Sequence, residues 1–211
     1  FVAPLVNSVT LDSACGPDMP TAGGSPCEVI ISGANFGPTG NSDVSVRYGP
    51  ESSVTADLTK YTPDSCYVKS STKILCTPGP GVGSGLKWTV TAGGQVSLAS
   101  SHTTDYASPT ITGVAAGADS ATTGGESVTI TGTNFGPASD TAVVAKYGAS
   151  DSNPTTYTAT GCRVVSQTSI TCNTVEGIGA SLHWRVTVDG QDSGVSTTTT
   201  DYARPTIKSI S

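Results

Sequence analysis

The stretch that decides the fold is residues 66–95, CYVKSSTKILCTPGPGVGSGLKWTVTAGGQ, which returns at residues 162–191 as CRVVSQTSITCNTVEGIGASLHWRVTVDGQ. In its second half Leu86, Trp88 and Val90 alternate with the polar residues Lys87 and Thr89. A period of two is typical of a strand with one buried face. A Gly-Gly pair follows in the first copy and an Asp-Gly pair in the second, and both are typical of tight hairpin turns. The stretch therefore predicts β-hairpins in both copies.

The repetition extends over nearly the whole chain. Residues 23–38 match 124–137, VRYG at 46–49 matches AKYG at 145–148, and TTDYASP at 103–109 matches TTDYARP at 199–205. Each unit opens on Pro-x-(Ile/Val)-x-x-(Val/Ile), and this opener starts at Pro4, Pro109 and Pro205. The pattern predicts one domain over residues 1–108, a second over 109–204, and the first strand of a third, incomplete repeat over 205–211. We expect this chain to be a segment of a longer array of repeats. Ile207 and Ile210 should then have no core of their own to pack against within this segment.

Four of the six cysteines occupy equivalent positions in the two copies. Pairing across the turn near Ser71 places Cys66 opposite Cys76, and the same arithmetic places Cys162 opposite Cys172. Directly opposed residues of antiparallel strands lie at a Cα separation that a disulfide can span. The spacing therefore predicts one cross-strand disulfide in each repeat.

The other two cysteines, Cys15 and Cys27, occur in the first repeat only and by elimination pair with each other. No Cys-x-x-Cys pair and no histidine at zinc-ligand spacing is present, which disfavours the alternative of a zinc site. Three disulfides imply an oxidising, extracellular setting.

Composition and charge exclude several classes of function. The formal net charge is −6 with a sequence pI near 4.6, so a nucleic-acid backbone would be repelled. No apolar run approaches the roughly 18 residues of a membrane helix, so no membrane segment is expected. Seven or so short strands per 100 residues favour an immunoglobulin-type β-sandwich.

These motifs together resemble the IPT/TIG family of immunoglobulin-like domains. The matching elements are the Pro-initiated opener, GG-x-x-V-x-I-x-G-x-NFG, the YG dipeptide, the cysteine hairpin and W-x-V-x-V-x-GQ, and they cover nearly the whole chain twice. The resemblance implies tandem extracellular β-sandwiches. Such tandems occur in plexin-like receptors, fibrocystin-like proteins, bacterial surface proteins, and flagellar-hair or surface proteins of protists. Other members lie inside transcription factors or beside starch-acting catalytic domains.

No residue pattern predicts catalysis, a cofactor or a metal site. His102 and His183 occupy non-equivalent repeat positions and are expected on the surface, and motifs for a nucleophile, a zinc protease or a phosphate-binding loop are missing. Phe36 and Phe135, in the two NFGP segments, are interpreted as core or turn anchors rather than binding aromatics. Trp88 and Trp184 are interpreted as core, with a carbohydrate-stacking platform as the alternative.

The junctions between repeats carry the remaining candidate residues. Short proline-containing linkers should hold neighbouring domains at a set angle, and we expect Tyr106 to pack on Ile111 or on the Asn-Phe-Gly loop of the next domain. Each junction aspartate is interpreted as a turn cap that helps to fix the interdomain angle, with an interdomain calcium site as the alternative. The predicted junction residues are Asp105, Tyr106, Pro109, Asp201, Tyr202 and Pro205.

The serine- and threonine-rich surface suggests O-glycosylation, and the densest run of candidate acceptors is Thr197, Thr198, Thr199 and Thr200. The favoured hypothesis is a non-catalytic structural module of a long extracellular or cell-surface array, such as a surface or flagellar-hair-like filament. Its partners would be neighbouring repeats, identical chains in a filament, and glycans. The alternatives are a ligand-binding or adhesive receptor ectodomain, for which the Cys15–Cys27 loop is the candidate contact, and an accessory module of a secreted enzyme.

Overall fold

The computed structural model describes residues 2–24, 26–51, 58–117, 120–138 and 142–209, and the chain divides into two compact units, Phe1–Ala107 and Ser108–Ser211. The described residues form strands, turns and loops and no helix, which confirms the predicted all-β class. Accordingly, none of the described segments provides a helix long and apolar enough to cross a membrane.

The described residues of the first unit form seven antiparallel strands in two sheets. One sheet has the order β1-β2-β5-β4 and the other the order β3-β6-β7. The strands are β1 (Leu5–Leu11), β2 (Val29–Ala34), β3 (Val44–Pro50), β4 (Ser65–Ser70), β5 (Lys73–Thr77), β6 (Leu86–Ala92) and β7 (Gln95–Val96).

The described residues of the second unit repeat this arrangement, and a short edge strand, β11, lies where Tyr61 forms an antiparallel bridge to Tyr48 in the first unit. Its sheets have the orders β12-β13-β9-β8 and β11-β10-β14-β15. The strands are β8 (Thr110–Ala115), β9 (Ser127–Thr133), β10 (Val143–Gly148), β11 (Tyr157–Thr158), β12 (Thr160–Ser166), β13 (Ser169–Asn173), β14 (His183–Val188) and β15 (Gln191–Asp192).

Alternation of apolar and polar residues places the core between the two sheets of each unit. In β6 the side chains of Leu86, Trp88 and Val90 are buried, whereas those of Lys87 and Thr89 are half-buried on the other face. Successive side chains of a strand point to opposite faces, so the period-two pattern leaves one face for the core. The two phenylalanines of the NFGP segments, Phe36 and Phe135, are also fully buried, as the sequence predicts.

The tight hairpin turns that follow β6 and β14 are present. Gly93 and Gly94 have φ angles of 55° and 76°, and Asp189 and Gly190 have φ angles of 46° and 84°. Two consecutive positive φ values are characteristic of type I′ turns, whose twist matches that of the flanking strands. Glycine and aspartate at these positions are therefore what the backbone requires.

All three predicted disulfides are present. Cys66–Cys76 and Cys162–Cys172 each join adjacent strands with a Cα separation of 4.1 Å, and Cys15–Cys27 has a Cα separation of 4.3 Å. Val68 lies opposite Ile74 in the first hairpin and Val164 opposite Ile170 in the second, in the register that the cysteine spacing predicts.

The end of the described chain forms no strand. Residues 203–209 have no assigned strand or bridge, and Ile207 is 81% exposed, as expected for an apolar side chain without a core. Ile210 lies outside the described residues. The assignment of residues 205–211 to a third repeat therefore stays a prediction.

Candidate functional site

A tyrosine and a tryptophan stack at the same place in the core of each unit. Tyr48 on β3 lies directly opposite Trp88 on β6, with ring centroids 4.0 Å apart and an interplanar angle of 8°. Tyr147 and Trp184 repeat this arrangement at 4.2 Å and 10°. Both tryptophans are fully buried, so the alternative of a carbohydrate-stacking platform is wrong. Stacked aromatic pairs add stabilisation beyond the area that they bury.

Around this stack the first unit closes a cycle of three hydrogen bonds. The Gly79 N–H donates to Tyr48 Oη at 3.1 Å, the Tyr48 and Tyr106 hydroxyl oxygens are 2.6 Å apart, and Tyr106 Oη donates to the Gly79 carbonyl at 2.6 Å. Because the Tyr106 hydroxyl donates its one proton to the Gly79 carbonyl, the Tyr48 hydroxyl is the donor in the contact between the two tyrosines. Each buried hydroxyl is thus both a donor and an acceptor, and hydrogen bonds in such a chain reinforce one another.

The second unit closes the same cycle with Val175 in place of Gly79. The Val175 N–H donates to Tyr147 Oη at 2.9 Å, the Tyr147 and Tyr202 oxygens are 2.6 Å apart, and Tyr202 donates to the Val175 carbonyl. We call the cycle, together with the stacked tryptophan, the tyrosine–tryptophan cluster of each unit. Because it recurs with the same partners, it belongs to the repeat rather than to one domain.

A third tyrosine ties the adjacent loop to the cluster. Tyr61 Oη donates to the Val82 carbonyl at 2.8 Å, and Tyr157 Oη donates to the Ile178 carbonyl at 2.9 Å. The loop comes so close that a Cβ at Gly81 would lie 2.6 Å from the Tyr106 ring. Glycine is required there because of this approach.

The indole N–H of each tryptophan finds its acceptor in a buried threonine. Trp88 Nε1 donates to Thr104 Oγ1, and Trp184 Nε1 donates to Thr200 Oγ1, both at 2.9 Å. Thr200 is only 8% exposed, so its prediction as an O-glycan acceptor is wrong. The side chains of Thr197, Thr198 and Thr199 are exposed, and for them the prediction stands.

Replacing Thr200 with valine should lower the free energy of unfolding of the second unit by about 1–3 kcal/mol. Valine keeps the shape of threonine but leaves a buried indole N–H without an acceptor. Chemical denaturation followed by circular dichroism measures the change. The matched control is Thr199→Val at an exposed position, which should stay within about 0.5 kcal/mol of the wild type. Equal stability of the two variants would show that this hydrogen bond does not contribute.

Two buried serines per unit complete the hydrogen bonding beside the tryptophan strand. Ser100 Oγ accepts the Trp88 N–H and Ser97 Oγ accepts the Val90 N–H, both at 3.0 Å. Ser196 and Ser193 do the same for β14. Sequence reasoning missed these serines, the threonines and the tyrosines of β3 and β10, although their recurrence in both repeats was a signal that could have found them.

Tyr106 does not lie where its sequence position predicts. Tyr106 is fully buried in the core of its own unit and pairs with Met19 in a parallel bridge, so the prediction that it packs on Ile111 or the next Asn-Phe-Gly loop is wrong. Tyr202 is likewise buried, and it bridges to Ser120. The physical reason is that the backbone at these tyrosines adds to the edge of their own sandwich, which turns the rings inward.

Each junction aspartate caps a turn within its own unit. Asp105 Oδ1 accepts the Gly85 N–H and Asp201 Oδ1 accepts the Ser181 N–H, both at 2.6 Å. Ser181 has a φ of 55°, so the carboxylate stabilises a backbone conformation that is unfavourable for serine. The capping role agrees with the interpretation from sequence. An effect on the interdomain angle stays a prediction.

Burial of the phenols predicts alkaline unfolding. Burial raises the pKa of Tyr48 to about 12, and it also raises the pKa values of Tyr106 and Tyr202. In the unfolded chain a tyrosine ionises near pH 10, so this stabilisation is complete below about pH 10 and is lost as the pH rises toward 12. Over this pH range we expect the phenolate absorbance to rise while the circular dichroism signal of the folded chain falls. Reversible ionisation of all tyrosines with an unchanged fold would contradict the burial of the cluster.

Two open surface depressions among the described residues contain no catalytic arrangement. One, of about 820 Å³, is lined in part by Asn35, Asn41 and Asp43, and another, of about 550 Å³, by Ile178 and Arg204. Neither brings together a nucleophile, a base and an oxyanion-binding group.

One cluster within the described ranges has metal-ligand chemistry by residue type, and it comprises Asp12, Cys15 and Cys27. Both of its cysteines are consumed by their disulfide, so their sulfurs are not thiolate ligands. Asp12 instead accepts the Glu28 N–H at 3.1 Å. Its carboxylate therefore anchors the disulfide loop.

Comparison with known proteins finds a family of domains that the second unit matches. Residues 109–202 match the model of the IPT/TIG domain. No curated protein matches the chain.

Among solved structures, the chain is similar to the surface glycan-binding protein PbSGBP-B of Prevotella bryantii, with 16% identity and a TM-score of 0.50, covering 91% of this chain and 41% of that one. It is also similar to the Yersinia pseudotuberculosis adhesin InvE, with 15% identity and a TM-score of 0.49, covering 93% of this chain and 59% of that one. It is similar to the extracellular region of plexin A4 as well, with 20% identity and a TM-score of 0.35, covering 95% of this chain and 18% of that one. The chain thus spans less than two thirds of each structure, and the likeness to PbSGBP-B is evidence of fold alone.

Proposed function

Because residues 109–202 form an IPT/TIG domain whose disulfide hairpin and tyrosine–tryptophan cluster recur in the first unit, we propose that this chain is a non-catalytic structural module of an extracellular array. The proposal rests on the location of the polar side chains that recur in both units. The tyrosine, threonine and serine side chains common to both units hydrogen-bond inside the core rather than around a cleft. What the two units share is therefore a scaffold.

The disulfides support the extracellular part of the proposal. Within the described residues all six cysteines are paired, and disulfides persist in oxidising compartments. The exposed Thr197, Thr198 and Thr199 are proposed acceptors for O-glycans in that setting. An intact mass of the native protein equal to that of the bare chain would contradict the glycosylation.

The test of the array is to label intact source cells with antibodies raised against this chain. We expect labelling without permeabilisation, repeated along a surface fibre or layer in electron micrographs. Labelling that requires permeabilisation would contradict the extracellular location. Dispersed labelling without an ordered structure would contradict the array and favour the alternative of a receptor or adhesin ectodomain.

A further inference from the structure

The outer face of the sheet β11-β10-β14-β15 carries three basic side chains at neighbouring positions. Trp184 and Val186 of β14 are buried, so His183 and Arg185 lie on the opposite, outer face. On β10 the exposed Lys146 pairs in register with Arg185. We call Lys146, His183 and Arg185 the basic face of the second unit.

The two cations of the basic face oppose each other, and neither forms an ion pair with a described acid. Like charges directly opposite on antiparallel strands are destabilising. The ion pair found between described residues joins Lys87 and Glu51 in the first unit, and neither Lys146 nor Arg185 takes part in one. The nearest acid by register, Asp192, accepts a hydrogen bond from the hydroxyl of Thr187 at 2.5 Å. Among the described residues, therefore, no carboxylate forms an ion pair with Lys146 or Arg185.

Burial of Arg185 Nε and one contact of His183 restrict the side chains of the basic face. Arg185 Nε is buried without a hydrogen-bond partner among the described residues, so the inner part of the guanidinium is shielded from water. His183 Nδ1 is 2.8 Å from the Ser196 carbonyl, and because a carbonyl only accepts, Nδ1 carries a proton. A packed guanidinium loses less conformational freedom when it binds a ligand than a freely moving one does.

The first unit shows the same face without this charge pattern. Lys87 takes the place of His183 and is paired with Glu51, and Thr89 takes the place of Arg185 opposite Arg47. The opposed, unpaired cations are thus an addition of the second unit and are not required by the repeat.

We propose that the basic face binds an acidic polysaccharide through its carboxylate or sulfate groups. Guanidinium binds such planar or tripodal oxyanions with paired hydrogen bonds, and the lysine on the opposed residue of the neighbouring strand adds a second cation on the same face. The net charge of −6 repels polyanions at long range. At physiological salt this repulsion is screened beyond about 8 Å, so the local cations determine close binding.

A polysaccharide fits this surface better than a folded protein does. Lys146 is exposed, and His183 and Arg185 are half-buried on the outer face of the sheet, to which a linear chain carrying regularly spaced anions can bind without a deep pocket. The inference rests on the proposed extracellular location for the supply of such a ligand, but the binding itself is a property of the purified chain. Binding with an intracellular location would overturn the proposed function alone.

The experiment measures binding of the purified chain to immobilised dextran sulfate, polygalacturonate and neutral dextran at neutral pH and physiological salt. We expect binding to at least one of the two polyanions, and which of them binds distinguishes sulfate from carboxylate. Lys146→Gln/Arg185→Gln should weaken that binding by roughly tenfold or more, as expected when charged hydrogen bonds are lost. Lys146→Arg, which keeps the charge, should retain it.

The matched control is Arg47→Gln/Lys69→Gln, which removes the same amount of charge from exposed positions of the first unit. It should stay within about twofold of the wild type, because its cations lie outside the basic face. Equal weakening by both double variants, no binding to either polyanion, or binding to neutral dextran of the same strength would overturn the proposal. Equally tight binding to polyglutamate would overturn the assignment to polysaccharide. Circular dichroism confirms that each variant is folded.

Discussion

Trp184→Ala is expected to lower the free energy of unfolding of the second unit by about 3–5 kcal/mol, the largest loss from any single substitution proposed for this chain. Trp184 is fully buried, stacks on Tyr147 at 4.2 Å and donates its indole N–H to Thr200. Alanine removes the stack, leaves a cavity and leaves the threonine hydroxyl without its donor. For a unit of ordinary stability this is a large part of the total.

The two tryptophans allow the unfolding of the two units to be separated. In Trp184→Ala the remaining indole is Trp88, so fluorescence reports the first unit while circular dichroism reports both. We expect an early transition in circular dichroism that fluorescence does not show. The control is Val165→Ala, which truncates a side chain that is 45% exposed and should change stability by no more than about 0.5 kcal/mol. A Trp184→Ala protein with a single transition at the wild-type midpoint would contradict the central role of the cluster.

The second large effect is expected from removing the cross-strand disulfide of the second unit. The double variant Cys162→Ala/Cys172→Ala should lower the free energy of unfolding of the second unit by about 3 kcal/mol. The reason is that the disulfide closes a loop between residues 10 positions apart and so restricts the unfolded chain. Cys172 is also almost fully buried beside the core, so small packing losses add to this figure. Thermal and chemical denaturation under non-reducing conditions measure the change.

The equivalent variant in the first unit is the matched comparison. Cys66→Ala/Cys76→Ala removes a disulfide with the same sequence separation of 10, so its effect should be similar in size. A loss below about 1 kcal/mol in both variants would show that the hairpins hold their register without the disulfides.

The hairpins and their register could be predicted because the information for them is local. The spacing of Cys66 and Cys76 and the alternation through Leu86, Trp88 and Val90 depend on residues of one or two neighbouring strands. Strand pairing across a short turn follows directly from such a pattern. The disulfides and the inward tryptophans are confirmed for this reason.

The tyrosine–tryptophan cluster could not be predicted in the same way because its members are distant in sequence. Tyr48 meets Gly79 and Tyr106, which lie 31 and 58 positions further along the chain. Nothing in the local pattern distinguishes Tyr106 from a linker residue, and a proline three positions later favoured that interpretation. Thr200 was misplaced for a similar reason, since it ends a run of exposed threonines although its own side chain lies beneath an indole.

The basic face was missed for another reason. Sequence alternation placed His183 and Arg185 on the outer side of β14, but Lys146 lies 39 positions before Arg185, and the strand register brings the two together. Whether an acid neutralises them depends on the loops of the folded unit. Glu51 neutralises Lys87 in the first unit, whereas in the second unit the position of Glu51 is taken by Ser150, and the neighbouring Asp151 forms no ion pair with Lys146 or Arg185.

The most direct test of the extracellular, disulfide-stabilised module is to count the thiols of the protein isolated from its native source. The protein is alkylated in denaturant without a reductant and then mapped by mass spectrometry. The account predicts no alkylated cysteine among the six and three linked pairs, Cys15–Cys27, Cys66–Cys76 and Cys162–Cys172. Complete alkylation of all six cysteines would contradict it, because it would show a chain that folds and functions in a reducing compartment.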